Sequence, residues 1–211
     1  MIIICHRGYW KSQDERNSPI AFERALTHGW GIETDIRDLN ADLVVSHDCP
    51  IEGALHFGSF LEKYKAPAGG CAPLALNIKS DGLQVLVKKY LMDYEIRDYF
   101  VFDMSVPDTL GYLKHGLQVF VRQSEYEPVP VFYDSAAGVW MDCFESDWID
   151  PNLVQSHLDR GKKICVVSPE LHGREQWGMW NTLRLVTERE HGSLMLCTDF
   201  PEEARSFFDG H

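Results

Sequence analysis

Short apolar runs alternate with amphipathic segments along the whole sequence, and this alternation restricts the fold. The runs have the length and the Ile, Val and Leu content of buried strands. Several intervening segments carry apolar residues at helical spacing; in residues 18–28, Phe22, Ala25 and Leu26 share one face. Strands that alternate with helices form parallel βαβ units. About eight strand positions predict an α/β fold, a closed TIM or (β/α)8 barrel, and a doubly wound open sheet is the alternative.

The same pattern places the elements. Predicted strands cover residues 2–6, 31–39, 43–47, 74–79, 100–103, 119–122, 139–142, 163–167 and 194–198. Predicted helices cover residues 18–28, 81–94, 107–114, 151–159, 175–189 and 202–208. Residues 66–73 are predicted to be a loop and residues 128–137 an irregular connection. The 211 residues are expected to form a single barrel domain over residues 1–211, compact because such barrels typically have ~250 residues.

The formal net charge of −12 restricts the partners. Broad nucleic-acid binding needs lysine and arginine to displace counterions from phosphates, and an anionic membrane surface repels an acidic protein. No segment approaches the roughly 18 apolar residues of a membrane span, so membrane insertion is not expected. A small phosphate ligand is compatible with the charge, because a bound divalent cation inverts the local field.

The cysteines indicate a reducing compartment. The six residues at positions 5, 49, 71, 143, 165 and 197 lack the CxxC spacing of zinc and redox sites. Three of them, Cys5, Cys165 and Cys197, lie in strand-like runs, where free cysteine behaves as a small hydrophobe. The apolar start of the chain is too short for a signal peptide and has no basic region. We therefore expect a cytoplasmic protein with reduced cysteines.

Polar side chains cluster where the predicted strands end. These residues are His6, Arg7, Glu33, Asp35, His47, Asp48, Asn77, Lys79, Asp103, Glu170 and Asp199. In a parallel barrel the carboxyl ends of the strands meet at one rim, where active sites lie. We therefore expect these side chains to converge, with those of the first strands as nearest neighbours. Glu170 and Asp199 are as compatible with hydrogen bonding at the rim as with substrate contact.

The chemistry of this set points to a phosphate ester. Glu33 and Asp35 alternate within one strand, so they point to the same side, where two carboxylates repel unless a cation binds between them. A hard divalent cation, Mg²⁺ or Ca²⁺, suits such oxygen ligands. Histidines suit proton transfer near neutral pH. Arg7 suits a bidentate contact with phosphate, and Lys79 adds a positive charge for developing negative charge.

Several motifs resemble those of the glycerophosphodiester phosphodiesterase family. The matching segments are His6-Arg7-Gly8, Asn17-Ser18, Ala21-Phe22 and residues 31–36, 44–48 and 76–79. In that order they are similar to the family's HRG opening, its ENT and AF motifs, its E-x-D strand, its VVxHD motif and its IEIK strand. Weaker similarity at residues 138–142, 167–171 and 198–201 extends the resemblance over nearly the whole chain.

The resemblance implies a barrel of the phospholipase-C-like phosphodiesterase type and metal-dependent hydrolysis of a small phosphodiester, such as a glycerophosphodiester or a related phospholipid-derived substrate. One histidine would activate water or a neighbouring substrate hydroxyl, and the other would protonate the leaving oxygen. The implied roles are His6 and His47 as the acid–base pair, Glu33, Asp35 and Asn77 as ligands of one divalent cation, and Arg7, Lys79 and Glu170 as phosphate or substrate contacts.

The sequence departs from the family pattern at three places. Asn77 stands where a third metal carboxylate is expected; an amide oxygen can ligate a hard cation, but affinity should fall unless Asp103 or Glu170 helps. Arg16 stands where the opening motif has Glu. The segment between residues 48 and 73 is shorter than the family's usual insertion, which predicts an open site in a short member of the family.

Two other functions are compatible with the same residues. Asn77 and the short cover suit a barrel that binds a phosphate ester with little or no turnover. A lyase would use the same side chains to form a cyclic phosphate, with a substrate hydroxyl as the nucleophile. The sequence identifies neither the leaving alcohol nor the oligomeric state.

Overall fold

The computed structural model describes residues 1–65, 73–187 and 192–210. The chain forms two compact units: an N-terminal unit of Cys5–Val119, and a C-terminal unit that combines Phe120–His211 with Met1–Ile4. Every predicted strand and helix is present, with ends shifted by at most a few residues. Three features lie outside the described residues: the predicted end of the helix at residues 175–189, Cys71, and almost all of the predicted loop at residues 66–73.

The N-terminal unit contains most of the predicted site. Its strands are β1 (Ile2–His6, which begins in the other unit), β2 (Gly31–Leu39), β3 (Asp42–Val45), β4 (Leu55–His56), β5 (Leu74–Ile78) and β6 (Tyr99–Phe102). Its α-helices are α1 (Pro19–Thr27), α2 (Phe57–Lys65), α3 (Gln84–Asp93) and α4 (Val106–Lys114). A single 3-10 turn covers Gln13–Glu15.

The sheet register of this unit brings polar residues together. Strand β5 pairs in parallel with both β2 and β6. This register sets Asp35 opposite Asn77 and Glu33 opposite Ala75. Because residues paired across parallel strands share a face, Asn77 lies beside Asp35 on the face that also carries Glu33. Buried apolar side chains of these strands hold the arrangement, and burying each one stabilises by about 1.5–3 kcal/mol.

Strand β3 corrects one expectation. The alternation of strands and helices implied parallel neighbours, but β3 is antiparallel to β2. Asn40 and Ala41, with φ of 52° and 63°, connect the strands in the left-handed conformation that a two-residue hairpin turn requires. The returning strand reaches Asp35 again, whose carbonyl accepts a hydrogen bond from Ser46 N at 3.0 Å. His47 thus follows a strand end, but the end of an antiparallel strand.

Helix α2 and the short strand β4 are absent from the predicted elements. They occupy part of the segment that was interpreted as a short cover. The helical signal is present, because Phe57, Phe60, Leu61 and Tyr64 recur at helical spacing and are all buried. The adjacent Gly58-Ser59 pair weakens that signal, since both residue types disfavour a helix interior.

The C-terminal unit is a parallel α/β arrangement. Its elements are β7 (Phe120–Gln123), β8 (Gly138–Met141), α5 (Pro151–Asp159), β9 (Lys163–Val167), α6 (Trp177–Thr187), β10 (Leu194–Thr198) and α7 (Pro201–Asp209). Strand β8 pairs in parallel with β7 and β9, and β9 pairs in parallel with β10. Residues 128–137 form an irregular connection, as predicted, with one 3-10 turn at Tyr133–Ser135.

The described cysteines and helices agree with two simple expectations. Cys5, Cys143, Cys165 and Cys197 are free and buried, and Cys49 is free and exposed. In the described parts of the chain, no helix is both long enough and apolar enough to cross a membrane.

Candidate active site

Glu33 and Asp35 form the centre of a polar cluster in the N-terminal unit. Both side chains belong to β2 and point to one face, as the sequence predicted, because one residue separates them. Glu33 is 2% exposed and Asp35 is fully buried. Two carboxylates withdrawn from water in this way need positive charge or hydrogen-bond donors close by.

Glu33 lies against the end of β1. The backbone N–H of Arg7 donates a hydrogen bond to Glu33 Oε2 at 3.0 Å, and His6 Nε2 is 4.0 Å from the same oxygen. Burial, and after it the charge of Asp35, raise the pKa of Glu33, while His6, Arg7 and Lys79 act in the opposite direction; the net result is a pKa of about 7. The burial of Glu33 beside Asp35 therefore favours its protonated form when no metal is bound.

Asp35 is surrounded by donors and cations. Asn17 Nδ2 donates to Asp35 Oδ2 at 2.7 Å, and Arg7 Nε lies 3.2 Å from that oxygen. Lys79 Nζ is 3.4 Å from Asp35 Oδ1 and 4.0 Å from Asp103 Oδ2. The cluster therefore holds Arg7 and Lys79 beside one buried carboxylate, with parts of both cationic side chains exposed.

Asn17 is a member of the cluster to which the sequence assigned no role. Its amide donates to Asp35, and its Oδ1 accepts from Thr34 Oγ1 at 2.8 Å. Its backbone N–H donates to the carbonyl of Arg7 at 2.9 Å. The signal was the Asn17-Ser18 motif, whose resemblance pointed to the fold but not to this contact. Asn17 positions Asp35 and the turn after β1.

Two buried oxygens in the cluster bear on metal binding. In the described structure, Asn77 Oδ1 has no hydrogen-bond partner, and Asp35 Oδ1 has none beside its ion pair with Lys79. Buried acceptors are normally satisfied, and these two belong to residues directly opposite each other. With the carboxylate of Glu33 they make an all-oxygen donor set, which fits Mg²⁺ or Ca²⁺. No three His, Cys, Asp or Glu side chains of the described residues group closely enough to hold a metal ion.

The backbone around the cluster is strained. Arg7, Asn17 and Asp103 have φ of 56°, 57° and 68°, in the left-handed region that non-glycine residues rarely occupy. Each such residue costs about 1–3 kcal/mol and persists where its surroundings fix it. The left-handed turn at Arg7 points its N–H at Glu33, so here the strain accompanies a contact of the site.

Gly8 continues this turn, and its substitution is expected to destabilise the protein. Its φ is +81°, and an added Cβ would lie 2.9 Å from Ala21 Cβ and 3.0 Å from Phe22 Cδ1. Strain and overpacking together predict a loss of about 2–4 kcal/mol for Gly8→Ala, measured by urea unfolding. Gly29→Ala is the matched control, because Gly29 has φ +68° but no atom within 4 Å of an added Cβ. Equal losses for the two variants would show that the contact with α1 is unimportant.

His47 makes its hydrogen bonds with residues other than Glu33 and Asp35. Its side chain is 43% exposed, and Nδ1 forms a 2.9 Å hydrogen bond with Asp48 Oδ1. Arg37 Nε donates to its backbone carbonyl at 3.1 Å. Within the described residues no hydrogen bond or ion pair joins His47 to Glu33 or Asp35. His47 is therefore an exposed histidine just after β3, and β3 pairs with β2, the strand that bears both carboxylates.

Glu170 belongs to the C-terminal unit, where it connects two strand ends. It follows β9 and accepts hydrogen bonds from the hydroxyls of Ser168 and Thr198, and from Asp199 N at 3.1 Å. Burial raises its pKa, while these donors act in the opposite direction. These contacts give Glu170 a structural role at the ends of β9 and β10. Its role as a substrate contact stays a prediction.

Comparison with solved structures identifies the class of fold. The chain has a TIM-barrel-like α/β fold, which confirms the predicted fold class. The neighbours of this fold include phosphodiesterases of the kind that the sequence motifs resemble.

Three particular structures illustrate the likeness. A glycerophosphodiester phosphodiesterase from Agrobacterium tumefaciens str. C58 has a TM-score of 0.73 at 16% identity, over 100% of both chains. A glycerophosphoryl diester phosphodiesterase from Parabacteroides distasonis ATCC 8503 has a TM-score of 0.67 at 15% identity, over 99% of this chain and 86% of that one. A Ca²⁺-dependent phosphatidylinositol-specific phospholipase C from Streptomyces antibioticus has a TM-score of 0.58 at 12% identity, over 98% and 95%.

Sequence comparison gives no closer relative. No protein-family model matches the chain, and no curated protein matches it significantly.

Proposed function

We propose that this protein is a divalent-metal-dependent phosphodiesterase that hydrolyses a small phosphodiester, such as a glycerophosphodiester or a related phospholipid-derived compound. The observation that carries the proposal is the buried Glu33–Asp35 pair with His6, Arg7 and Lys79 around it. Such a set combines acidic metal ligands, cationic phosphate contacts and a proton carrier. The fold likeness to two enzymes named for glycerophosphodiester cleavage supports the same substrate class.

Glu33, Asp35 and Asn77 would hold one cation, Mg²⁺ or Ca²⁺. The cation would supply positive charge at the phosphate oxygens as negative charge develops there. The two acceptor oxygens without hydrogen-bond partners support this assignment. The Ca²⁺ dependence of the Streptomyces antibioticus enzyme supports a hard cation of this kind. With only two carboxylates, metal affinity is expected to be lower than in a site with three.

The remaining residues would bind phosphate and move protons. Arg7 and Lys79, already held near Asp35, would contact the phosphate oxygens. One of His6 and His47 would take the proton of an attacking water while the new oxygen–phosphorus bond forms. The other would give a proton to the leaving alkoxide oxygen as its bond to phosphorus breaks. The exposure of His47 suits the residue that faces the departing alcohol.

His6→Ala is expected to lower kcat by about 10²–10⁴-fold, the usual range for a lost acid–base group. The assay uses bis(p-nitrophenyl) phosphate and a panel of glycerophosphodiesters with Mg²⁺, Ca²⁺ or Mn²⁺. His28→Ala is the control, because His28 is exposed at the end of α1 and its Nδ1 lies 2.8 Å from the Arg24 carbonyl. The proposal fails if wild-type protein turns over none of these substrates with any of the three metals.

The neutral Asn77 favours a second candidate, a barrel that binds phosphate esters with little or no turnover. In that case calorimetry would detect binding of a glycerophosphodiester, unchanged in His6→Ala, without product formation. A lyase that forms a cyclic phosphate would be distinguished from a hydrolase by its product. Phosphorus NMR would show a persistent cyclic phosphate if a substrate hydroxyl, and not water, attacks phosphorus.

Two further properties belong to this proposal. We propose a cytoplasmic location, in line with the free cysteines of the described residues. The net charge of −12 supports a small substrate and not a nucleic acid as the partner.

A further inference from the structure

A second polar cluster lies between helices α3 and α4 of the N-terminal unit. The segment between β5 and α3 contributes Asp81, and the first turn of α3 contributes Gln84. Helix α4 contributes Asp108 and Tyr112, which are one helical turn apart and therefore share a face. None of these residues belongs to the site around Glu33 and Asp35.

Hydrogen bonds tie the two sides of this cluster together. Gly82 N donates to Asp108 Oδ1 at 3.0 Å, and Ser105 Oγ donates to both carboxylate oxygens of Asp81 at 3.0–3.1 Å. The amide of Gln84 lies against α4 at Gly111, where an added Cβ would be 2.7 Å from Gln84 Nε2. A glycine in a helix interior costs about 1 kcal/mol, and at this position it makes room for the Gln84 side chain.

Three oxygens of the cluster are buried without a hydrogen-bond partner in the described structure. They are Asp108 Oδ2, Tyr112 Oη and Gln84 Oε1. Tyr112 is fully buried and Asp108 is 9% exposed. Buried oxygens are normally satisfied by protein, water or an ion, so these three atoms are exceptions. The position of Asp108 in the first turn of α4 suits the helix dipole, but it does not account for the other two oxygens.

The charged side chains within the cluster are both aspartates. The charged side chain that acts on Asp108 is Asp81, and those that act on Tyr112 are the same two aspartates. Burial raises the pKa of Asp108, and Asp81 adds to this while the hydrogen bond from Gly82 N opposes it. Burial also raises the pKa of the Tyr112 hydroxyl, and both aspartates add to that. A proton on Asp108 Oδ2 would itself need an acceptor, and none of the described atoms is within hydrogen-bond distance.

We propose that Asp81, Gln84, Asp108 and Tyr112 form a binding site for a hard divalent cation that links the start of α3 to the start of α4. All the candidate ligands are oxygens, which selects a hard cation over zinc or copper. Ca²⁺ is the suitable probe, because it accepts neutral oxygens and irregular geometry. Two carboxylates and neutral oxygens predict a Kd on the order of 10⁻⁴–10⁻³ M. This proposal does not rest on the phosphodiesterase function.

The test measures Ca²⁺ binding by calorimetry in protein freed of metal with a chelator. It uses Glu33→Gln protein, so that binding at the site around Glu33 and Asp35 does not contribute. One Ca²⁺ is expected to bind, and Ca²⁺ at a hundredfold excess over Kd is expected to raise Tm by roughly 5–10 °C. Adding Asp108→Asn should weaken binding at least tenfold. Adding Asp93→Asn, an exposed aspartate of α3 paired with Lys89, should leave binding unchanged.

Two features of this experiment separate a loss of Ca²⁺ binding from a loss of folding. Asn at position 108 can still accept from Gly82 N, so the metal-free double variant should unfold at the same or a higher temperature than Glu33→Gln. Tyr112→Phe removes only the buried hydroxyl and should also weaken Ca²⁺ binding. No saturable binding in Glu33→Gln, or equal affinity in Asp108→Asn and Asp93→Asn, would overturn the proposal and leave water as the occupant. Turnover is not a readout, so failure of the phosphodiesterase proposal gives a separate result.

Discussion

Glu33→Gln is expected to make the metal-free protein more stable at pH 8 and to abolish phosphodiester turnover. The pKa of Glu33 is raised by burial from 4.5 to about 7. At pH values between 4.5 and about 7, Glu33 holds its proton in the folded state more than in the unfolded state. The free energy of unfolding therefore falls as pH rises through this range. Above about pH 7 the buried charge costs about 3 kcal/mol, and below about pH 4.5 it costs nothing. Glutamine keeps an acceptor for the N–H of Arg7 but carries no charge.

Urea unfolding in the presence of a chelator measures this effect. At pH 8 the variant should gain up to about 3 kcal/mol over wild type, and at pH 5 the difference should nearly vanish. Glu23→Gln, an exposed change on α1, should show neither effect. Turnover should be lost because one of the two carboxylates proposed to hold the metal is gone. A variant that is less stable than wild type at pH 8 would contradict the assigned direction of the Glu33 pKa.

Asp35→Ala is expected to act in the opposite direction on stability. Asp35 is fully buried and lies within 3.4 Å of Asn17, Arg7 and Lys79. Removing it leaves two cationic groups without their nearest carboxylate. Loss of one partner of a buried pair costs 3–5 kcal/mol, and we expect roughly 3 kcal/mol because Glu33 is relieved of a neighbouring charge.

The measurement is again unfolding of metal-free protein, here at pH 7, together with turnover under saturating metal. Asp35→Asn is the matched variant, since it retains an acceptor for the Asn17 amide and should lose less stability than Asp35→Ala. Both variants should lose turnover. If Asp35→Ala unfolds at the same urea concentration as wild type, Arg7 and Lys79 are not held by this carboxylate. The opposite signs expected for Glu33→Gln and Asp35→Ala make the pair a strict test of the cluster.

The elements that sequence predicted well are those with a single clear period. Strand β2 has the predicted bounds, and α5 begins after Asp150, whose side chain accepts from Asn152 N and Leu153 N. Patterning alone also places Glu33 and Asp35 on one face, because alternation in a strand is a local property. The antiparallel direction of β3 is different. It depends on a left-handed turn at Asn40 and Ala41, and Ala gives no signal for that conformation.

The contacts of the site depend on the tertiary structure. The sequence assigned Lys79 to the phosphate and Asp103 to an auxiliary role, but nothing in their spacing indicates that Lys79 lies between Asp35 and Asp103. Asn17 lies on an irregular segment, where no periodicity applies. It makes two hydrogen bonds to β2 from a left-handed backbone conformation, which the sequence pattern does not indicate. Residue types and spacing thus do not predict which of these groups touch.

The division of β1 between two units has a consequence for synthesis. Met1–Ile4 belong with Phe120–His211, and β1 is adjacent to the last strand, β10, in the sheet order. The ribosome adds about 5–20 residues per second, so the first residues wait on the order of 10–40 s for β10. During that time Ile3 and Ile4, both buried in the finished protein, have no strand to cover them on that side. The burial of Ile3 and Ile4 on that side is therefore completed only after β10 has been made.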